Sequence, residues 1–280
     1  MVIVRKSVNF VLKCVLYMNR KGDIILNKLK ILFLEKIMLT ERYAEILISA
    51  VENIKLTQKD KIIDAAKIVK KTIKNDGLIY VFGCGHSHIL AEETFYRAGG
   101  LACVAPVFYE PLMLHEGAAE SSRLEKLDGL AQKVFDQCPI TEGDMLICSS
   151  TSGVNSVPVE FARLVKEKGI PVVVITSSAY FDQKPKNPLG EHLYKQGEVW
   201  IDNMAPHGDA CLDIEGLKVP MTPVSTVTGA FIINSILAEA TELAAAEGIE
   251  VPVYLSGNIP GGAEYNKALI ERYSSRIKPL

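Results

Sequence analysis

Two short stretches hold most of the side chains able to do chemistry. One is Gly83-Cys84-Gly85-His86-Ser87-His88, the other Ser149-Ser150-Thr151-Ser152-Gly153-Val154-Asn155-Ser156. Each follows a short apolar run and leads into residues at helical spacing, which is where a strand hands over to a helix with unpaired N–H groups. Consecutive hydroxyls and free backbone N–H groups at such a point can surround a phosphate without Lys or Arg. The second stretch lacks the GxxxxGK[ST] lysine and the first lacks the third glycine of GxGxxG, so nucleotide and dinucleotide binding are disfavoured. Capping of the helix that starts near Ser156 is the plainer role for Asn155 and Ser156, and it holds in part beside any ligand.

General acid–base chemistry requires a carboxylate or an imidazole within reach of the proton it moves. His88, Glu92, Glu93, His115, Glu116, His207 and Asp209 are the candidates. His115-Glu116 lies in a loop-like segment after a predicted strand, the end of a sheet where sites form. Glu93 falls within a helical stretch, where a glutamate usually faces solvent. His86-x-His88 and His207-x-Asp209 resemble metal pairs, but metal spacing suits a helix or one strand face better than a turn. No metal and no cofactor is expected. Cys14, Cys84, Cys103, Cys138, Cys148 and Cys211 form no CxxC pair, which sets aside zinc ribbons and dithiol redox chemistry and fits a reducing cytosol.

The frame for these residues is legible in the apolar pattern. Tyr43, Leu47, Ala50 and Ile54, then Ile62, Ala66, Val69 and Ile73, recur at helical spacing, with Thr57 and Asp60 expected as a capping box between them. Strands are predicted at 78–82, 102–105, 144–148, 171–176 and 199–202, as runs too continuous for a half-exposed sheet. Between them, 156–168 reads as a helix with Pro158 in its first turn and Gly169 at its end. Ser225 to Glu247 reads as a long, mostly apolar helix. The order predicts a doubly wound, mainly parallel α/β sheet flanked by helices, with N-terminal helices in front.

The residues VFGCGHS followed by CSSTSGVNSVPVEFARLVKEKGIPVVVITS resemble the SIS, or sugar isomerase, domain family over roughly residues 70–250. The stretches LMLHEGA, DNMAPHGDA and GNIPGGAEYN are similar to a single-SIS bacterial subgroup. The resemblance implies a flavodoxin-like or Rossmann-like fold and a phosphorylated sugar as ligand. It further implies that Ser150, Ser152, Asn155 and Ser156 hold the phosphate, that Thr151 and Gly153 shape the turn, and that Ser87 reaches the phosphate or a sugar hydroxyl. The usual hydroxyl after Ser-Gly-x is Asn155 here, so either Asn155 or Ser156 is the donor. Glu116-Gly117-Ala118 resembles the stretch carrying a catalytic glutamate in N-acetylmuramic acid 6-phosphate etherases.

The expected activity is aldose–ketose isomerisation of a hexose or hexosamine 6-phosphate, with Glu116, Glu93 and His88 as proton-transfer candidates. The alternatives are a phosphosugar lyase, etherase or deaminase, or a non-catalytic sensor. A sensor would carry DNA-binding helices, and no N-terminal recognition unit is evident. The 280 residues are 48% hydrophobic and 23% charged with net charge −2, which excludes a disordered chain and gives no global attraction to nucleic acid or anionic membrane. Residues 1–37 differ, with eight Lys/Arg against two acidic residues, a net +6, while 38–280 carry −8. Lysines interrupt every apolar run there, so a spanning helix or signal peptide is not expected. The extension reads as a segment upstream of a start at Met38, and 38–280 as one domain in a cytoplasmic protein. A homodimer is expected, since the long helix carries more apolar surface than one stripe buries and the resemblance points the same way.

Overall fold

The structure is a computed structural model that describes residues 38–280. The predicted extension, residues 1–37, lies outside them. The chain divides into residues 1–44 and a compact unit of residues 45–280 that holds the sheet and both turns.

Helices α1 (Leu39–Thr57) and α2 (Lys59–Lys74) precede strand β1 (Ile79–Gly83). On α2, Ile62, Ala65, Ala66, Val69 and Ile73 are buried, the stripe that a period of 3.6 places on one face. A turn and the short helix α3 (Ile89–Thr94) lead to β2 (Val104–Pro106). Helices α4 (Ala118–Leu124) and α5 (Leu130–Asp136) precede β3 (Met145–Ser149). Then come α6 (Ser156–Glu167), β4 (Val172–Thr176) and β5 (Val199–Asp202). A hairpin, β6 (Ala210–Leu212) and β7 (Met221–Pro223), leads into α7 (Ser225–Ala246), and α8 (Gly262–Tyr273) follows.

The main sheet is parallel throughout, in the order β2-β1-β3-β4-β5. The chain runs outward from β1 to β2, then crosses back to β3 and continues the other way. The strand order therefore reverses between β1 and β3, which opens a crevice at their carboxyl ends. β1, β3 and β4 are buried along their whole length, matching their continuous apolar runs. Phe82 of β1 meets Phe161 of α6 with ring centroids 4.4 Å apart. Such fully buried Phe, Ile and Val side chains each contribute about 1.5–3 kcal/mol against chain entropy. The helices pack in two groups, α5 with α6 and α2 with α7.

Two local expectations are corrected. The strands begin at Ile79 and Met145, because buried Asp144 stands ahead of them: its Oδ1 accepts from Leu78 N at 2.7 Å and its Oδ2 from Thr141 N at 2.9 Å. The Thr57–Asp60 capping box does not form. Thr57 ends α1 and donates to Asn53 O, whereas Gln58 precedes α2 and is buried, its Oε1 accepting from Asp202 N at 3.1 Å. A tertiary partner has overridden the local cap.

Among the described helices, α7 is long and apolar enough to cross a membrane. Here Ile232, Ile233, Ile236, Leu237 and Ala240 form its buried stripe, and α2 is its main packing partner.

Candidate functional site

The register pairs Gly83 with Ser149, so the two turns leave adjacent strands at the same level. The first turn is tight. Ser87 N donates to Cys84 O at 3.0 Å, and a Cβ on Gly83 would stand 2.5 Å from the carbonyl carbon and oxygen of Ser87. Only glycine lets the turn fold back this closely on its own strand. The Ser87 side chain is half-buried and its hydroxyl has no partner among the described residues. His88 is buried; its Nδ1 is bonded to Gly85 O and its Nε2 lies 3.3 Å from Glu92 Oε1.

The second loop is pinned from below. Thr151 O accepts from Ser177 N at 3.0 Å and from Thr176 Oγ1 at 3.3 Å, and Thr151 Oγ1 accepts from Asn203 Nδ2 at 3.4 Å. Ser150 N continues the ladder to Ile175 O, and its Oγ accepts from Gly153 N at 3.3 Å, which leaves the hydroxyl hydrogen free to donate outward. Gly153 has φ +61°, and a Cβ there would meet Thr176 Oγ1 at 2.8 Å, so conformation and space both demand glycine. The Ser152 hydroxyl is half-buried and unpartnered among the described residues.

Asn155 and Ser156 behave differently from their neighbours. Asn155 precedes α6, yet its side chain makes no cap bond and instead donates from Nδ2 to Glu125 Oε1 at 2.9 Å. Ser156 is wholly buried, and its Oγ lies 2.5 Å from Asp128 Oδ1 and 3.1 Å from Lys186 O. Its hydroxyl serves the interior. Glu125 and Asp128 thus clamp the start of α6, and sequence spacing gave no sign of them, because they lie 30 and 28 residues upstream of their partners. Burial pushes the Glu125 carboxyl above its ordinary range, against the pull of Asn155 and Lys126.

A third element reaches the crevice. The first residues of α7, Ser225 and Thr226, join His86, Ser87, Leu90, Ser149 and Thr151 around a cavity of about 10 Å³. That is room for one water or one oxygen of an oxyanion. The hydroxyls of Ser149 and Thr226 are unpartnered among the described residues, as is that of Ser87. Ser225 is fastened from behind: Asp209, itself at φ +64°, accepts from Val224 N at 3.1 Å, Ser225 N at 2.8 Å and Ser225 Oγ at 2.6 Å. This carboxylate caps α7 from 15 residues upstream and offsets the positive end of the helix.

The remaining candidates are dispersed. Glu93 is paired with Arg97 and accepts from Asn234 Nδ2 of α7 at 3.1 Å. Glu116 is exposed in a single-turn helix after β2, 3.6 Å from the His115 Nε2. His207 is exposed and stacks on Tyr180 at 4.7 Å between centroids. No group of three His, Cys, Asp or Glu able to hold a metal occurs among the described residues. Burial raises the thiols of Cys103 and Cys138 to about 12, so neither is a thiolate nucleophile at neutral pH. A larger cavity, about 140 Å³, lies among Tyr80, Val107, Val134, Cys138 and Ile277 and contains none of the predicted site residues.

With this geometry in hand, the chain can be placed among known proteins. The SIS domain profile matches residues 42–177. The protein lin2794 of Listeria innocua, of the UPF0309 family, is 46% identical over 239 residues, covering 85% of this chain and 97% of its own. A UPF0309 protein of Geobacillus thermodenitrificans is 47% identical over 224 residues, covering 80% of this chain and 90% of its own. Among solved structures, phosphoheptose isomerase GmhA of Neisseria gonorrhoeae aligns over 74% of this chain and 99% of its own, at 17% identity and a TM-score of 0.45. The NanR protein of Vibrio vulnificus complexed with ManNAc-6P aligns over 87% of this chain and 70% of its own, at 14% identity and a TM-score of 0.46. A parallel sheet reversing between β1 and β3, two hydroxyl-bearing turns at that point and near-full-length relatives lead to one assignment: the chain is a SIS-domain protein of the UPF0309 family.

Proposed function

We propose that the crevice between the two turns binds a phosphorylated sugar of the hexose or hexosamine 6-phosphate class and isomerises the hexose form, which carries a C2 hydroxyl, between aldose and ketose. The observation that carries this reading is the convergence of unpartnered hydroxyls, from Ser87, Ser149 and Thr226, on a point where two strands end and two helices begin. Phosphate is an acceptor-only group at its terminal oxygens, and this set offers it donors with no desolvated cation to compete. Ser150, Ser152 and the backbone around Thr151 and Gly153 would hold it, with the second hydrogen of the Asn155 amide and the Ser87 hydroxyl completing the shell. Ser156, occupied internally, is left out.

Isomerisation transfers a proton from C2 to C1 of the open-chain sugar, or the reverse, through an enediol. Glu116 is the preferred base: it lies in a loop on the carboxyl side of β2 and faces solvent, whereas Glu93 is tied to Arg97 and Asn234 and His88 is bonded on both nitrogens' sides. The reading includes a homodimer, supported by the outward side of α7, where Val227 is exposed and Phe231 half-buried; sedimentation as a monomer at micromolar concentration would remove that part.

A thermal-shift screen against sugar 6-phosphates and their unphosphorylated parents tests the binding claim, because a ligand of the folded state raises its melting temperature. Equal shifts from a sugar and its phosphate would sink it. Tight binding of several 6-phosphates with no turnover would leave a sensor in place of an enzyme.

A further inference from the structure

A carboxyl stands directly behind the second loop, and no step of the proposed reaction uses it. Glu125 follows α4; its Oε1 accepts from Asn155 Nδ2 at 2.9 Å and its main-chain oxygen from Val157 N at 3.0 Å. The residue is therefore fastened at two points to the start of α6. An amide NH₂ has two hydrogens. One is committed to Glu125, and the other remains for an anion in the loop. Carboxylate and anion would then share one nitrogen, at about 5–6 Å from each other given two hydrogen bonds of about 2.9 Å.

The charged surroundings do little to relieve that encounter. Lys126, next in the chain, attracts the carboxylate. The Cys84 thiol faces it from the first turn and is itself held neutral by burial. Asp128 is committed to the Ser156 hydroxyl, and Asn155 carries no charge. Desolvation already disfavours the ionised carboxyl before any ligand arrives. A doubly charged oxyanion placed one amide away adds like-charge repulsion in a partly buried setting, where screening is weak.

We propose that an oxyanion bound at the second loop is accompanied by uptake of one proton from solvent by Glu125, which becomes a neutral carboxylic acid while the Asn155 hydrogen bond is retained. This rests on the phosphate-binding reading above. Its consequence is a pH-tuned affinity: binding of a phosphate dianion weakens as pH rises through the Glu125 transition, by up to tenfold per unit for one linked proton. On the acid side the ester itself protonates below about pH 6, so the affinity has a maximum between the two.

The test uses full-length protein with ¹³C-carboxyl-labelled glutamate, titrated by NMR in chloride and in sulfate at matched salt. Sulfate has the shape of phosphate and does not titrate in this range. The Glu125 resonance is the one missing from Glu125→Gln, or from Glu125→Asp if the first variant does not fold. The midpoint of Glu125 is expected to rise by about four pH units in sulfate, the size given by Coulomb repulsion from a dianion at this separation with an effective dielectric constant of about 20. Backbone amides of Ser150 to Asn155 should move with sulfate in wild type and Glu125→Gln alike. With N-acetylglucosamine 6-phosphate as the second probe, the variant should bind with an affinity that no longer changes between pH 7 and 9. Movement of the loop amides with an unchanged Glu125 midpoint overturns the proton linkage and leaves phosphate binding standing. No movement of those amides with either probe overturns the phosphate-binding reading, and the linkage with it.

Discussion

Replacing Gly83 by alanine is the sharpest test of how the first turn is positioned. The added methyl would stand 2.5 Å from Ser87 C and O and 2.8 Å from Ser87 Cβ, where ordinary contact begins at 3.4 Å. The turn must therefore retreat by roughly 0.9 Å, and because the obstacle is backbone rather than a flexible side-chain tip, the whole turn moves. Overpacking of this kind costs about 1–3 kcal/mol, which for a chain of this size lowers Tm by roughly 2–12 °C. A hydroxyl hydrogen bond to the ligand stretched by the same amount is lost, so phosphosugar affinity should fall about 10- to 150-fold, the equivalent of 1.5–3 kcal/mol for a bond to a charged group. Gly85→Ala is the control. Gly85 has φ +55° with nothing within 4 Å of the added Cβ, so the change costs about 1–2 kcal/mol of backbone strain without displacing Ser87. Its affinity should stay within about threefold of wild type. Differential scanning fluorimetry gives Tm, and titration calorimetry with the best-binding 6-phosphate gives affinity. Wild-type affinity in Gly83→Ala, or an equal loss in Gly85→Ala, would refute the claim that close packing on the strand end places Ser87.

Ser152→Ala should weaken phosphosugar binding by about 1–3 kcal/mol with Tm little changed, because its hydroxyl has no protein partner to lose; calorimetry on the variant decides it. Glu116→Gln should keep binding and abolish isomerisation, since the amide holds the shape but cannot accept a proton, and a coupled assay for the ketose product reads this. Full activity in Glu116→Gln with loss in Glu93→Gln would move the base to α3. Glu125→Gln should raise Tm at pH 8 and leave it unchanged near pH 4. The native carboxyl is pushed above its ordinary range, so the charged form penalises the folded state at high pH, whereas below the unfolded value both forms are neutral.

The frame was readable because it is written in local pattern. β5 spans the predicted 199–202, α6 and α7 begin where predicted, and the two turns stand at the strand ends that the apolar runs mark. Elements shorter than two helical turns, such as α4 and α5, carry too little periodicity to be found that way. The site was half-legible. Its hydroxyls announce themselves by type and spacing, but Asp209 capping α7, Glu125 holding Asn155 and Asp128 holding Ser156 are partnerships across 15 to 30 residues. Nothing in a local window distinguishes a serine whose hydroxyl is left unpartnered from one that faces a buried aspartate, and so Ser152 and Ser156 read alike.

The lining of the small cavity includes neither Lys nor Arg, and residues 38–280 carry a net charge of −8. A site built from hydroxyl and peptide dipoles grips an anion only at contact range, because dipole fields fade faster than those of full charges. At long range an approaching sugar phosphate meets the repulsion of the acidic body instead. Raising ionic strength screens that repulsion, with a Debye length near 10 Å at 0.1 M, while leaving the contact hydrogen bonds largely intact. Association with this crevice should therefore quicken as salt is added, the opposite of the slowing that steered association at oppositely charged sites shows, and capture of the ligand is left to collision and shape rather than to steering.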